Sequence, residues 1–550
     1  MKLLLLVICL LIEINYSLSV LESFVKRAKQ SEFFAKLINQ KHTAIVEKQR
    51  YFDHYDFIIV GSGPGGCVLA NRLTENKKWN VLLIEAGKVE TALQDVPVLA
   101  AYMQSTAFNW GFVSEPQAGS CFGMDENRCG FPRGKALGGT SVINYMIYNR
   151  GNKNDFDRWA AAGNYGWSWN EVLPYFLKSE RSTLEGFENS PYHNRHGEMS
   201  VEYNRHRTLY SKLFVKASNH LGLREVDYNS GQQLGVSFLQ ANTLNGRRHS
   251  AFKAFIEPIL NRPNLHVMIN TRATKVLIDP STKIAYGVEL LRNRKRYRIL
   301  ARKEVILSAG TFMSPQILML SGIGMKSDLN RIGVPVIQEL PVGKIMYDHT
   351  THIGVVFVAN TTGESLNSDR AIQPNNVVKF LHGQGILTVP GGVEALGFIK
   401  TNINNFRGET VPDVELIFLA GGYFSDEGTG VRRGIRITDK IYNSVYKRLE
   451  DRSIDAFTVA QMLFHPKSVG YLELKSSNPF HWPKFYHNFF KNADDVETML
   501  EGIKATLKLV NTPQFKSIGA RVYSVPLPNC AHIHFGTDDY WRCSIRTLSS

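Results

Sequence analysis

Long hydrophobic runs are scarce in this chain of 550 residues. The clearest, Leu3 to Ile12, falls well short of the roughly 20 apolar residues that a bilayer core demands. No stable membrane span is therefore expected. Cysteine is sparse too, six in all, with no C-x-x-C spacing, which argues against a zinc module and leaves no metal site expected. Acidic residues are in short supply, 49 against 64 basic ones, for a net charge of +15. Such a balance raises the question of a nucleic-acid or anionic partner. The basic residues are scattered, however, and the densest run, Arg292-Asn293-Arg294-Lys295-Arg296, lies between two apolar, strand-like segments. It reads as a solvated hairpin, and no nucleic-acid partner is expected. Internal repeats and low-complexity tracts are absent as well, and 43% hydrophobic content is enough to bury two linked cores.

What is present begins at the N-terminus. Lys2, the short apolar run and the small-x-small site Ser17-Leu18-Ser19 fit a secretory signal peptide over 1–19, with an uncleaved anchor as the alternative. Residues 20–50 read as a polar, helix-prone leader, and the mature protein as secreted and extracellular. Cysteine placement agrees with an oxidising compartment. Cys121/Cys129 and Cys530/Cys543 form two close pairs suited to local disulfides, whereas Cys67 reads as a small buried thiol on a helix. Asn360-Thr361-Thr362 is a sequon open to glycosylation.

Organised structure is expected from Tyr55. Phe57-Ile58-Ile59-Val60 reads as a buried strand, Gly61 to Gly66 as a tight loop, Cys67 to Thr74 as a helix and Val81 to Ile84 as the next strand. Gly61-Ser62-Gly63-Pro64-Gly65-Gly66 matches G-x-G-x-x-G between strand and helix. Gly61 lets the chain turn, Gly63 lets backbone approach a pyrophosphate, and Gly66 lets the helix pack closely on the strand. The helix N-terminus then offers free N–H groups to phosphates. Glu85 closes the second strand at the spacing of a ribose-binding acid. A second strand–turn–helix stretch is expected at Val305 to Leu320, without the glycine pattern. After Asp348, short β-rich stretches such as Ile353 to Val358 and Val414 to Leu419 suggest an antiparallel sheet. The fold class is thus α/β, a Rossmann-like dinucleotide-binding domain plus a second domain on an antiparallel sheet.

The βαβ unit alone does not separate NAD from FAD. Trp110-Gly111-Phe112 with Glu115-Pro116-Gln117, Arg133 to Asn144, Gly310 to Gly324, Leu340 to Gly343 with Asp348-His349, and His465 to Gly470 resemble, in order, landmarks of the GMC (glucose–methanol–choline) flavoprotein oxidoreductases. Within that family the chain is similar to the insect FAD-dependent glucose dehydrogenases. Thr140 stands where the first signature more often has Ser. The resemblance implies FAD held by Gly61, Gly63, Gly66 and Glu85, with Trp110 facing the flavin. It further implies that Leu137, Gly139 and Asn144 line the ring, that Ala273 (commonly Val) meets the adenine end through its backbone, and that Gly310 turns near the pyrophosphate. Independently of it, Gly138-Gly139 allows backbone to lie against a flat ring, and Asn144 can offer an amide to a polar edge.

The same resemblance sets the functional expectation: a secreted FAD-dependent oxidoreductase acting on CH–OH groups of an alcohol or sugar, passing hydride to flavin N5. An electron acceptor, quinone or oxygen, is its second partner. Sugars, steroids and small aromatic alcohols all stay open as substrates, and a nicotinamide dehydrogenase is the weaker rival. The expected division is 51–347 for the FAD-binding domain and 348–550 for an incomplete substrate domain. The family's catalytic His motif, H-x-x-G-T, is expected beyond Ser550, so no catalytic residue is assigned. His532-Ile533-His534-Phe535-Gly536-Thr537 imitates it with the wrong spacing, and His349 and His465 belong to structural landmarks. A partial sequence or an inactive flavin-binding relative is the alternative reading.

Overall fold

The computed structural model describes residues 46, 50–403, 410–450 and 454–550. The expected signal peptide and nearly all of the leader lie outside the described residues. β1 (His54–Val60) runs through the glycine loop into α1 (Pro64–Leu73), and β2 (Val81–Ile84) lies parallel beside β1. The apolar run of β1 is continuous because both its faces are covered. Phe57 and Ile59 join one buried cluster with Cys67 and Ala70, while Tyr55, Ile58 and Val60 join another with Val288 and Ile317. α1 starts three residues earlier than the sequence pattern suggests. Pro64 sits in its first turn, where a fixed φ and a missing N–H suit the helix start.

Further along, β3 (Gly235–Phe238) leaves for another sheet, while β4 (Leu265–Met268), β5 (Thr271–Ile278), β6 (Ala285–Arg292) and β7 (Lys295–Leu307) complete the first. Its order is β4-β2-β1-β7-β6-β5, parallel from β4 to β7 and antiparallel beyond. The basic run does form a hairpin: Asn293 and Arg294 take φ of +49° and +63° between β6 and β7, the mirror-image turn that matches strand twist. β7 lies directly beside β1 and leads into α2 (Gly310–Leu320), which begins at the turn residue rather than at Ser314. The second strand–turn–helix stretch therefore closes the same cleft as the first.

The other layer is a seven-stranded sheet. It contains β8 (Thr350–His352), β9 (Val356–Ala359), β10 (Val393–Ile399), β11 (Val414–Leu419), β12 (Asp455–Leu463) and β13 (Arg521–Val522), all antiparallel, with β3 on the edge beside β10. The strand expected over Ile353 to Val358 starts at Val356. α3 (Ala493–Val510) covers one face; a Cβ on its Gly502 would come within 2.8 Å of Val414, so helix and sheet pack in close contact. α4 (Asp538–Leu548), capped by Thr537, is tied down by the Cys530–Cys543 disulfide and by Arg542, which forks onto Glu497 at 2.7 and 2.9 Å. Cys121–Cys129 forms the second expected disulfide, and Cys67 is free and buried. Among the described residues no helix is long and apolar enough to cross a membrane.

Candidate active site

A cavity of about 410 Å³ opens where β1, β2 and β7 end, at the carboxyl edge of the parallel strands, the place where α/β sheets receive ligands. Gly61, Gly63, Glu85, Trp110, Gly139, Ala273 and Gly310 all line it. The glycines are dictated by contact. Gly61 takes φ of +98°, and a Cβ there would stand 2.4 Å from the Ser308 carbonyl oxygen. A Cβ on Gly66 would stand 2.0 Å from the Gly61 oxygen, and one on Gly139 would stand 2.5 Å from the Gly63 Cα. The two glycine loops, far apart in sequence, thus touch backbone to backbone.

Three sequence-predicted residues do not line the cavity. Gly66 supports the turn from below. Leu137 is fully buried, its N–H donating to the Lys88 carbonyl at 3.0 Å. Asn144 turns its Oδ1 toward the Met146 N–H and Arg248 Nη1, at 3.1 and 3.0 Å. Glu85 is on the wall but already engaged: Oε2 accepts from the Ser62 amide at 3.1 Å and its hydroxyl at 2.7 Å, and Oε1 accepts from the Gly87 amide at 2.8 Å. Burial raises its pKa against those hydrogen bonds. A ribose diol would share an acid whose position the loop has already fixed.

Two cations, Arg133 and Arg272, stand on the wall, and pattern reading gave their charge no role. Arg272 lies with its guanidinium 5.3 Å from the Trp110 ring and 5.1 Å from that of Phe480. Among the described residues it has no acidic partner, and burial pulls its pKa down to about 10. The Lys135 ammonium sits 4.9 Å from the centre of the same Trp110 ring, and burial and the charge of Arg272 lower its pKa. Arg133 lies 3.8 Å from Asp348. Half-buried cations with so little compensation suit the phosphates of a dinucleotide. Ala273, next to Arg272, drew the sequence argument, and Arg133 and Lys135 entered it only as the start of the first signature; nothing in spacing alone marked the charge of the three.

The histidines stand elsewhere. His465 Nε2 is 2.6 Å from Asp155, His349 packs on Phe464, and His352 is buried between Gln461 and Ser544. Among the described residues no histidine lines this cavity.

A glycine cradle at the carboxyl edge of a parallel sheet is a dinucleotide site, and the family that the chain matches makes it that of an FAD-dependent oxidoreductase. Models of the GMC oxidoreductases match residues 55–351 and 466–550, and the chain belongs to that family. The second match corrects one expectation: the family's C-terminal domain is present from residue 466. The chain is 36% identical over 494 residues to the glucose dehydrogenase (FAD, quinone) of Drosophila melanogaster, covering 90% of this chain and 76% of that protein. It is 30% identical over 501 residues to the ecdysone oxidase of Bombyx mori, covering 90% and 72%. Among solved structures, an FAD-dependent oxidoreductase from Chaetomium thermophilum superposes with a TM-score of 0.74 at 25% identity, covering 90% of this chain and 88% of that one.

Proposed function

We propose that this protein is a secreted FAD-dependent oxidoreductase that oxidises the CH–OH group of an alcohol or sugar. The observation that carries the reading is the cradle itself: seven of the residues expected to hold FAD converge on one cavity whose wall bears Arg272, a cation with no acidic partner among the described residues. The chemistry FAD supplies there is acceptance of hydride at N5 from the carbinol carbon. The chain's own part is to bind and orient. Gly61 and Gly63 bring backbone and the α1 N-terminus to the pyrophosphate, while Arg272 and Arg133 neutralise its charge. Glu85 takes the ribose hydroxyls, and Trp110 with the 137–144 loop bounds the ring. The relatives' named activities support quinone or oxygen as the electron acceptor. Export is supported by the N-terminal pattern and by two disulfides.

A second reading, a flavin-binding relative without turnover, is favoured by one observation: no histidine of the described residues lines the cavity at the glycine loops. A single preparation separates the two. Protein collected from the medium of eukaryotic cells is expected to begin at Val20 and to be yellow. Anaerobic addition of an alcohol or sugar is expected to bleach the flavin, and readmitting oxygen or a quinone to restore it. Yellow protein that no alcohol bleaches supports the second reading. Colourless protein that releases no flavin on denaturation, yet binds NAD, sinks both.

A further inference from the structure

The hairpin of β6 and β7 carries more charge than a solvated turn needs. Seven of the twelve residues from Arg292 to Lys303 are Lys or Arg, and none is acidic. Every residue from Asn293 to Arg298 is exposed. Of the seven cations only Arg296 has an acidic partner among the described residues, Glu289 at 3.0 Å. Arg292 rests instead near the Tyr51 ring, 5.2 Å from its centre. None of the residues from Arg292 to Lys303 lines the nucleotide cavity, so their charge is not spent there.

Two features of the hairpin work against its own stability. Arg292 pairs directly with Lys295 across the strands, which sets like charges opposite each other. Arg294 takes φ of +63°, in the left-handed region that a glycine at that turn position occupies without strain. Folding alone has no use for either feature; both keep positive charge at the tip. Register extends the pattern along the strand. Arg298 pairs with Glu289, which pairs in turn with Lys275 on β5, and Arg296 pairs with Leu291. Paired residues share a face, so Arg296, Arg298 and Lys275 stand around Glu289 on one side of the sheet. Successive side chains of that face lie roughly 6.5 Å apart along β7. The charge thus forms a line, which suits an extended polyanion better than a single ion.

We propose that this ribbon is a docking surface for a linear sulfated polysaccharide, held by charge along β7 and the hairpin tip. Complementary charge sets the chemistry of the partner. From Arg292 to Arg298 only Tyr297 is not a cation or an asparagine, so the ribbon has little to insert into a lipid surface. The choice of a polysaccharide over a nucleic acid rests on the export reading, because an exported protein meets sulfated chains outside the cell. Docking there leaves the nucleotide cavity open.

The test passes the FAD-loaded protein over immobilised heparin and measures heparin binding by calorimetry at several salt concentrations. Wild type is expected to be retained at physiological ionic strength, about 0.15 M. The triple variant Lys295→Gln, Arg296→Gln, Arg298→Gln is expected to bind at least about tenfold more weakly. Its slope of log affinity against log salt should flatten by roughly 2 to 3, at about 0.7–0.9 per lost contact as for nucleic acids. A control, Lys77→Gln, Lys212→Gln, Lys508→Gln, removes the same charge from exposed positions elsewhere and is expected to stay near wild type. Arg294→Gly relieves the turn; it is expected to melt no lower than wild type yet to bind heparin more weakly, which a purely structural Arg294 would not do. Passage of wild type through the column, equal losses in the triple variant and the control, or tighter binding to duplex DNA or phosphatidylserine vesicles than to heparin overturns the proposal. Heparin binding by protein that stays inside the producing cells overturns export and leaves the ribbon's preference standing; export without heparin binding does the reverse.

Discussion

Arg272 shows how much a single side chain carries at the nucleotide cavity. It lies on β5 beside Ala273, sandwiched between Trp110 and Phe480, and it donates to the Pro479 carbonyl rather than to any acid. The aromatic faces hold the guanidinium in place, and its charge is left to meet an anion. Arg272→Met keeps most of the volume and removes the charge. FAD affinity is expected to fall roughly 10- to 100-fold, from the loss of one charge-assisted contact. Equilibrium dialysis at two salt concentrations checks it: the wild-type affinity should weaken more with salt than that of the variant. Unchanged affinity would remove Arg272 from the phosphate site.

At the scale of elements, the flavin loop is held by a residue more than a hundred positions away. Arg248 is fully buried; its Nη1 donates to the Ser141 and Asn144 carbonyls at 2.9 and 2.8 Å, and its Nε donates to that of Gln94 at 2.9 Å. Burial lowers its pKa to about 10 even so. Arg248→Met would take the guanidinium donor from those three carbonyls, at a cost of about 1–3 kcal/mol for each that water does not reach. The expected outcome is a lower melting temperature together with a blurred flavin absorbance band, because the loop loses its anchor. A variant that melts earlier but keeps the wild-type flavin spectrum would make Arg248 merely a fold residue.

The same residue marks the boundary of what could be read from sequence. The glycine loop, its flanking strands and Glu85 are local: each needs only a few neighbours in the chain, and the period of apolar residues exposes them. The basic hairpin between β6 and β7 was legible for the same reason. Arg248 and Arg272 were not, because their meaning lies in partners that only folding brings near. Asn144 illustrates the cost. Its residue type suits a flavin edge, yet its Oδ1 is engaged by Arg248, a contact no local pattern encodes. β3 escaped notice likewise, since a short strand joining a distant sheet edge leaves no periodic trace.

For the whole molecule, buried ionisable groups in the second domain set how stability responds to pH. Glu415 stands on β11 opposite Met462, its Oε1 has no partner, and burial alone raises it from 4.5 to about 8. Unfolded, it ionises near its ordinary value; folded, it keeps its proton. Stability from this group is therefore complete below about pH 4.5 and is lost progressively as pH rises toward about 8. His352 works in the opposite direction. Burial lowers it from 6.5 to about 4, so its contribution is present above 6.5 and is lost as pH falls toward 4. The two slopes oppose each other between about 4.5 and 6.5, and above that range the glutamate's loss continues without the histidine's opposition. Glu415→Gln keeps the shape and removes the titration. Its melting temperature is expected to equal wild type near pH 4.5 and to exceed it by several degrees, on the order of 4 kcal/mol, near pH 8. Scanning calorimetry across that range is decisive. A constant difference at every pH would mean that the gain comes from packing, and that the Glu415 carboxyl titrates alike in the folded and unfolded chain.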